Sequence, residues 1–253
     1  MLKNSSEIIH ESWSVYKKNW KTLIPFMIIL FVPKNLIMPV MGTLFLYLET
    51  FLPSSFMVNN VIILLIATAV AVLSIWTSIA LAKTLYALTN GQILPWKESF
   101  SVSLNLIGPI FSSSILAFFI VLGGALLFVI PGIIFMVWYS FYFFAVAFEN
   151  QRGFAALKAS KALVVGRWWT IIIRLFLPAL LFVVIYIVIT FIPLSLIGLV
   201  HLPKFLESIF FNLTTSLISS IMAPLLSLAA IILYQSAKQN PVTSSEQTPS
   251  TLQ

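Results

Sequence analysis

The reading of this chain turns on residues 122–169, LGGALLFVIPGIIFMVWYSFYFFAVAFENQRGFAALKASKALVVGRWW. An apolar run bends at Ile130-Pro131-Gly132-Ile133, where proline and glycine interrupt it. Glu149 closes the apolar return. A short basic helix follows, and the pair Trp168-Trp169 opens the next apolar run. Bend, return, charged helix and aromatic pair, in that order, describe a chain turning at a bilayer surface. Pro131 and Gly132 are expected to act structurally, as the bend itself.

Composition points the same way. Of 253 residues, 60% are hydrophobic and 8% charged, where a soluble domain carries about 25% charged residues. That leaves too little polar surface to cover a water-soluble globule. The apolar runs at 61–82 and 171–199 exceed the roughly 20 residues a helix needs to cross a bilayer. They are continuous, unlike the alternating strands of an outer-membrane barrel. The expected fold is all-α and polytopic: one integral-membrane domain over 1–237, with six transmembrane helices plus amphipathic cytoplasmic interfacial helices. The spans fall at about 22–50, 61–82, 104–128, 130–149, 168–199 and 208–237. Residues 238–253, rich in Ser, Thr, Gln and Pro, read as a disordered tail.

The net charge of +7 sits beside spans, so it points to the membrane surface rather than to nucleic acid. The chain has no Cys and no Asp, which removes disulfide and thiol chemistry and leaves seven Glu as the only carboxylate side chains. The first apolar run begins near Leu23, behind a charged segment and with no small-residue cleavage site after it. No removable signal peptide is expected.

Residues 4–20 read as an amphipathic helix with Asn4 as N-cap and Glu7 completing a capping box. Ile9, Trp13, Tyr16 and Trp20 recur at helical spacing on one face. That face suits the headgroup layer; packing on the protein's own surface is the other reading. In the first span, Lys34 lies roughly 17 Å past Leu23 along a straight helix, just after a Pro33 kink. An intramembrane lysine is a functional candidate; the alternative is a tilted helix from which it snorkels. Arg174, about 9 Å into the fifth span, is within snorkelling reach of the Trp168 end.

With the N-terminus inside, the inner segments hold Lys3, Lys17, Lys18, Lys21, Lys83, Lys97, Arg152, Lys158, Lys161, Arg167, Arg174 and Lys238. Lys34 and Lys204 alone fall outside. This bias predicts cytoplasmic termini. Three amphipathic segments also share a pattern: Glu11-Ser12-Trp13, Glu98-Ser99-Phe100 and Ala159-Ser160-Lys161. They suggest either a threefold unit of surface helix plus two-span hairpin or chance similarity among amphipathic helices.

The opening stretch resembles a known family. Ile130-Pro131-Gly132-Ile133-Ile134, then Phe141 and Val146 before Glu149, then Ala156-Leu157-Lys158-Ala159-Ser160, Leu163 and Gly166-Arg167-Trp168 carry the resemblance. Pro224 through Leu233-Tyr234, and Glu11-Ser12-Trp13 with Lys18-Asn19-Trp20, extend it. The chain is similar to the integral-membrane domain attached to some bacterial glycerophosphodiester phosphodiesterases, and to its stand-alone relatives. The resemblance implies a six-helix membrane fold. The phosphodiesterase domain of the larger relatives has no counterpart after the sixth span, so their catalytic activity does not carry over.

No phosphate-binding loop, zinc-binding helix motif or serine nucleophile motif is present. His10 and His201 fall on opposite sides of the expected topology, and Glu49 lies far from Glu149. No catalytic, metal or cofactor site is expected, and no enzymatic activity. Glu149 is expected to pair with Arg152 at i+3. Arg152, Lys158, Lys161 and Arg167 are the candidate ligands for anionic phospholipid headgroups, with simple electrostatic anchoring as the plainer reading. Asn212, Ser216, Ser220 and Ser227 form a polar stripe, and Ser112-Ser113-Ser114 a polar cluster, for helix packing or a solute path. The expected function is that of a non-enzymatic protein of the bacterial cytoplasmic membrane, engaging anionic lipid or a membrane partner. The alternative is a small transporter or permease subunit, with Lys34 and the polar stripe on its path.

Overall fold

The computed structural model describes residues 2–33, 56–199 and 204–241. Among them every regular element is a helix: α1 (Ser5–Val32), α2 (Phe56–Thr89), α3 (Trp96–Leu104), α4 (Ile107–Leu127), α5 (Val129–Trp138), α6 (Tyr142–Glu149), α7 (Phe154–Val164), α8 (Trp168–Leu199) and α9 (Lys204–Gln239). Five stretches are long and apolar enough to cross a membrane: Asn60–Thr89, Ile107–Leu127, Val129–Glu149, Trp168–Pro193 and Ile209–Gln239. The all-helical character expected from composition is what the described residues adopt, and these five stretches are consistent with a multi-pass protein. Lys34 and most of the expected first span lie outside the described residues, as do His201 and the tail from residue 242.

The expected capping box starts α1: the Asn4 amide donates to Glu7 Oε2 at 2.9 Å, and Asn4 Oδ1 accepts from the Ser5 amide at 2.7 Å. The helix does not end near residue 20. It bends at Asn19, whose side chain donates to Val15 O at 2.9 Å, and runs on into the apolar stretch as one element. Ser5, Ile8 and Ser12 are its buried positions before this bend, and the face named from sequence is split: Ile9 and Tyr16 pack on the core, whereas Trp13 and Trp20 are about half exposed. The helix stands along α9, antiparallel to it. The Lys3 amide donates to Ser236 Oγ at 2.8 Å, and Tyr16 Oη donates to Ile221 O at 3.2 Å.

Burial changes along each long helix. Leu64 and Leu65 of α2 are exposed, whereas Ile79, Ala80 and Leu85 are fully buried. In α9, Phe210, Phe211 and Leu217 are exposed, whereas Leu225, Leu228, Ile231, Ile232 and Leu233 are buried. The core therefore sits at one end, where the C-terminal half of α9 is the pillar against which α1 and α8 pack. Apolar surface left open on this scale marks a membrane or partner contact.

The bend of the apolar hairpin is one residue wide and sits earlier than the sequence suggests. Phe128 is extended (φ −157°, ψ 146°) between α4 and α5, and Pro131-Gly132 falls in the first turn of α5. Proline is tolerated there because first-turn amides lack helical acceptors. Gly132 serves close approach: a Cβ on it would lie 2.7 Å from Ala125 Cβ and 2.8 Å from Ala125 Cα.

The serines of the three similar segments share one structural trait. Ser12, Ser99 and Ser160 are each fully buried, and each donates its hydroxyl to a backbone carbonyl, of Ile8, Ala80 and Trp138 respectively.

Candidate functional site

The chain turns sharply after α6. Asn150 adopts the left-handed conformation (φ 60°) as the α6 C-cap, and Gly153 takes φ 53°, ψ −126° before α7. Asparagine tolerates the first and glycine the second. The Gly153 amide donates to Ser113 Oγ at 2.9 Å, which ties this turn to α4. Helix α7 then buries Ala156, Leu157, Ser160 and Val164, while Arg152, before it, and Lys158 are exposed.

Ser160 joins α7 to the break between α5 and α6. Its hydroxyl donates to Trp138 O at 2.7 Å and accepts from the Phe141 amide at 3.0 Å. At the next residue of α7, the Lys161 ammonium lies 4.0 Å from the Trp138 ring centroid, a cation–π contact. Lys158 and Lys161 are three apart and share a side of the helix.

Beside this edge runs an apolar groove of about 640 Å³, walled by Ile130, Ile134, Trp138, Gly166, Trp168 and Trp169. Trp168 Nε1 is buried and has no hydrogen-bond acceptor among the described residues. The groove is thus apolar along its wall and adjoins the cation of Lys161 through the Trp138 ring.

The four candidate headgroup residues do not stay equivalent. Arg152, Lys158 and Lys161 fall outside the two ion pairs found among the described residues, Lys3–Glu11 and Lys238–Glu149. Arg167 is committed to the fold: Nε donates to Leu163 O at 2.8 Å, Nη2 to Ala237 O at 2.7 Å and Nη1 to Asn240 O. It thereby holds the C-terminal carbonyls of α9, where a cation is favoured. Burial, and secondarily the charge of Arg174, lower its pKa from the ordinary guanidinium value.

Glu149 does not pair with Arg152 as expected. It accepts from Tyr234 Oη and pairs with Lys238 Nζ at 2.8 Å, both on α9. The left-handed Asn150 ends α6 directly after Glu149, so residue 152 never occupies a helical i+3 position. Lys238, read from sequence as tail, lies in the last turn of α9.

Several of the other polar candidates make hydrogen bonds within the fold. Ser216 and Ser220 are buried, and Ser220 Oγ donates to Ser216 O at 2.7 Å. Ser113 receives the Gly153 amide, and Ser114 Oγ lies 3.0 Å from Tyr142 Oη. Arg174 has a buried Nη1 with no partner among the described residues. Lys34 lies outside them.

Tyr234, Lys238 and the Trp138–Trp168 groove are the elements that sequence reasoning missed. Their partners are distant in the chain, and no local spacing carries them. The tryptophans at the two borders of 138–168 were the available signal, since indoles gather at membrane interfaces. No known protein family, characterised protein or solved structure matches this chain.

Proposed function

We propose that the chain is a non-enzymatic multi-pass protein of the bacterial cytoplasmic membrane that holds an anionic phospholipid at the α7 edge. On this reading it makes six membrane passes counted from sequence, with amphipathic helices at the inner surface and both termini cytoplasmic. Kinship with the membrane domain of glycerophosphodiester phosphodiesterases belongs to the same proposal. The supporting observation is a roughly 640 Å³ apolar groove whose wall residue Trp138 carries the Lys161 ammonium 4.0 Å from its ring centroid. An acyl chain would lie against Ile130, Ile134 and Trp169. The phosphate would meet Lys161, with Arg152 and Lys158 as further ligands.

Juxtamembrane cations are each worth about 1 kcal/mol toward an anionic surface. The groove adds selectivity by holding the chain, and a bare anion lacks that contact. The test is thermal unfolding of the purified protein with added phosphatidylglycerol or phosphatidylcholine. Ligand binding to the folded state raises the midpoint. The proposal expects phosphatidylglycerol to raise it more, and Lys158→Glu with Lys161→Glu to abolish the difference. Equal shifts from both lipids in the wild type would refute it.

A further inference from the structure

We infer that the α4–α5 hairpin is re-entrant: it enters the bilayer from the surface that carries Arg152 and Lys161, bends at Phe128 inside the hydrocarbon, and leaves by the same surface. The inference rests on reading the chain as a membrane protein, replaces two of the six passes counted from sequence with this hairpin and so leaves four crossings, and holds whichever surface is cytoplasmic.

By length and composition each arm qualifies as a span, Ile107–Leu127 and Val129–Glu149. Two tethers shorten their reach. On α4, Ser113 Oγ accepts the Gly153 amide at 2.9 Å, which places Ser113 beside the turn carrying Arg152. From Ser113 to Leu127 a straight helix rises about 21 Å. On the return arm, Trp138 O accepts from Ser160 and the Trp138 ring sits 4.0 Å from the Lys161 ammonium. From Val129 to Trp138 the rise is about 14 Å. A hydrocarbon core is about 30 Å thick, with headgroup layers beyond it. A tip this close to Arg152 and Lys161 does not reach the opposite surface while those charges stay at theirs. The groove agrees, because it brings Ile130, beside the tip, together with Gly166 and Trp169 at the base of α8.

The tip also has the chemistry of a buried turn. No polar side chain occurs between Ser114 and Trp138. Leu126, Leu127, Phe128, Val129 and Ile130 are each 71–79% exposed in the protein alone. A turn at a water interface has no reason to present five consecutive large apolar side chains.

Unbonded backbone groups are the obstacle to any turn in hydrocarbon, and two backbone bonds reduce their number here. The Phe128 amide donates to Gly124 O at 3.0 Å, and the Gly132 amide donates to Phe128 O at 3.4 Å. Pro131 has no amide hydrogen to satisfy. The close Gly124 and Gly132 contacts keep the two arms together without a polar clasp.

The test uses single cysteines, because the chain contains none of its own. Leu127→Cys and Val129→Cys are placed at the tip, where both side chains are exposed and folding does not depend on them. Lys158→Cys marks the basic surface, and Asn60→Cys marks the far end of α2. An impermeant maleimide is applied to each side of sealed vesicles, then again after detergent. A fluorophore on the tip cysteines is quenched with nitroxide lipids of known depth.

The inference expects neither tip cysteine to react from either side, both to react in detergent, and a depth of about 10–20 Å below the Lys158 surface. Tip labelling from the face opposite Lys158 would show a full crossing and overturn the inference. Tip labelling from the Lys158 face would put the hairpin outside the bilayer and also overturn it. Labelling of Asn60→Cys from the Lys158 face would instead remove the spanning reading, and the inference with it.

Discussion

The hairpin contacts make a prediction whose sign differs between glycines one helix apart. A Cβ on Gly132 would meet Ala125 Cβ at 2.7 Å, Ala125 Cα at 2.8 Å and Ala125 N at 3.0 Å. Two of those atoms are backbone, so α4 itself must move. On Gly124 the nearest atoms are Phe135 Cδ2 at 2.6 Å and Cε2 at 2.9 Å, on a ring that can rotate away. On Gly123 nothing lies within 4 Å. Overpacking costs about 1–3 kcal/mol, whereas Gly→Ala in an open helix position gains up to about 1 kcal/mol. The expected order is therefore Gly132→Ala most destabilised, Gly124→Ala less so, and Gly123→Ala neutral or stabilised. The seven tryptophans allow the unfolding midpoint to be followed by intrinsic fluorescence in detergent or nanodiscs. For a chain of this size each kcal/mol shifts the midpoint by roughly 2–4 °C. A Gly132→Ala midpoint equal to that of Gly123→Ala would refute the close α4–α5 approach.

Three further outcomes follow from named contacts. Arg167→Met removes the bonds to Ala237 O and Asn240 O and is expected to cost about 1.5–3 kcal/mol, with faster hydrogen exchange over 234–240. Arg152→Met, an exposed position, should change stability by less than about 0.5 kcal/mol. Ser160→Ala leaves Trp138 O and the Phe141 amide without their shared hydroxyl; a loss of about 1–3 kcal/mol is expected in the same unfolding assay. Glu149→Ala strands the buried Tyr234 hydroxyl and should cost about 1–3 kcal/mol. Lys238→Ala loses only a half-exposed ion pair and should cost under about 1 kcal/mol. Equal effects from Glu149→Ala and Lys238→Ala would show that the carboxylate does not serve the tyrosine.

The helical class, with stretches long and apolar enough to cross a membrane, was legible because it depends on sums, and hydropathy over about 20 residues is insensitive to which neighbour a residue meets. The Asn4–Glu7 cap was legible because both partners lie within one turn. Errors arose where a contact crosses the chain and where a local residue type admits two backbone roles. Arg152 was the near cation for Glu149, yet the left-handed Asn150 ended the helix and handed the carboxylate to Tyr234 and Lys238. The residues 4–20 pattern named the apolar face of α1 but passed over Ser5 and Ser12, which are buried because small hydroxyls can close onto the helix's own carbonyls, as Ser12 does onto Ile8 O at 2.6 Å. The hairpin bend was placed at Pro131-Gly132 by residue type, whereas proline is welcome in a first helical turn and the reversal fell to Phe128. Of the basic cluster, spacing revealed the charges. Only the fold separated Arg167, which holds backbone, from Lys161, which edges a groove.

The most direct test of the lipid-binding account is native mass spectrometry of the protein taken from membranes of mixed phosphatidylglycerol and phosphatidylethanolamine. The wild type is expected to retain phosphatidylglycerol in excess of its share of the membrane, and the Arg152→Glu, Lys158→Glu, Lys161→Glu variant to lose that excess while staying folded. Retained lipid that mirrors the bulk membrane in the wild type, or an enrichment unchanged by the three reversals, would contradict it.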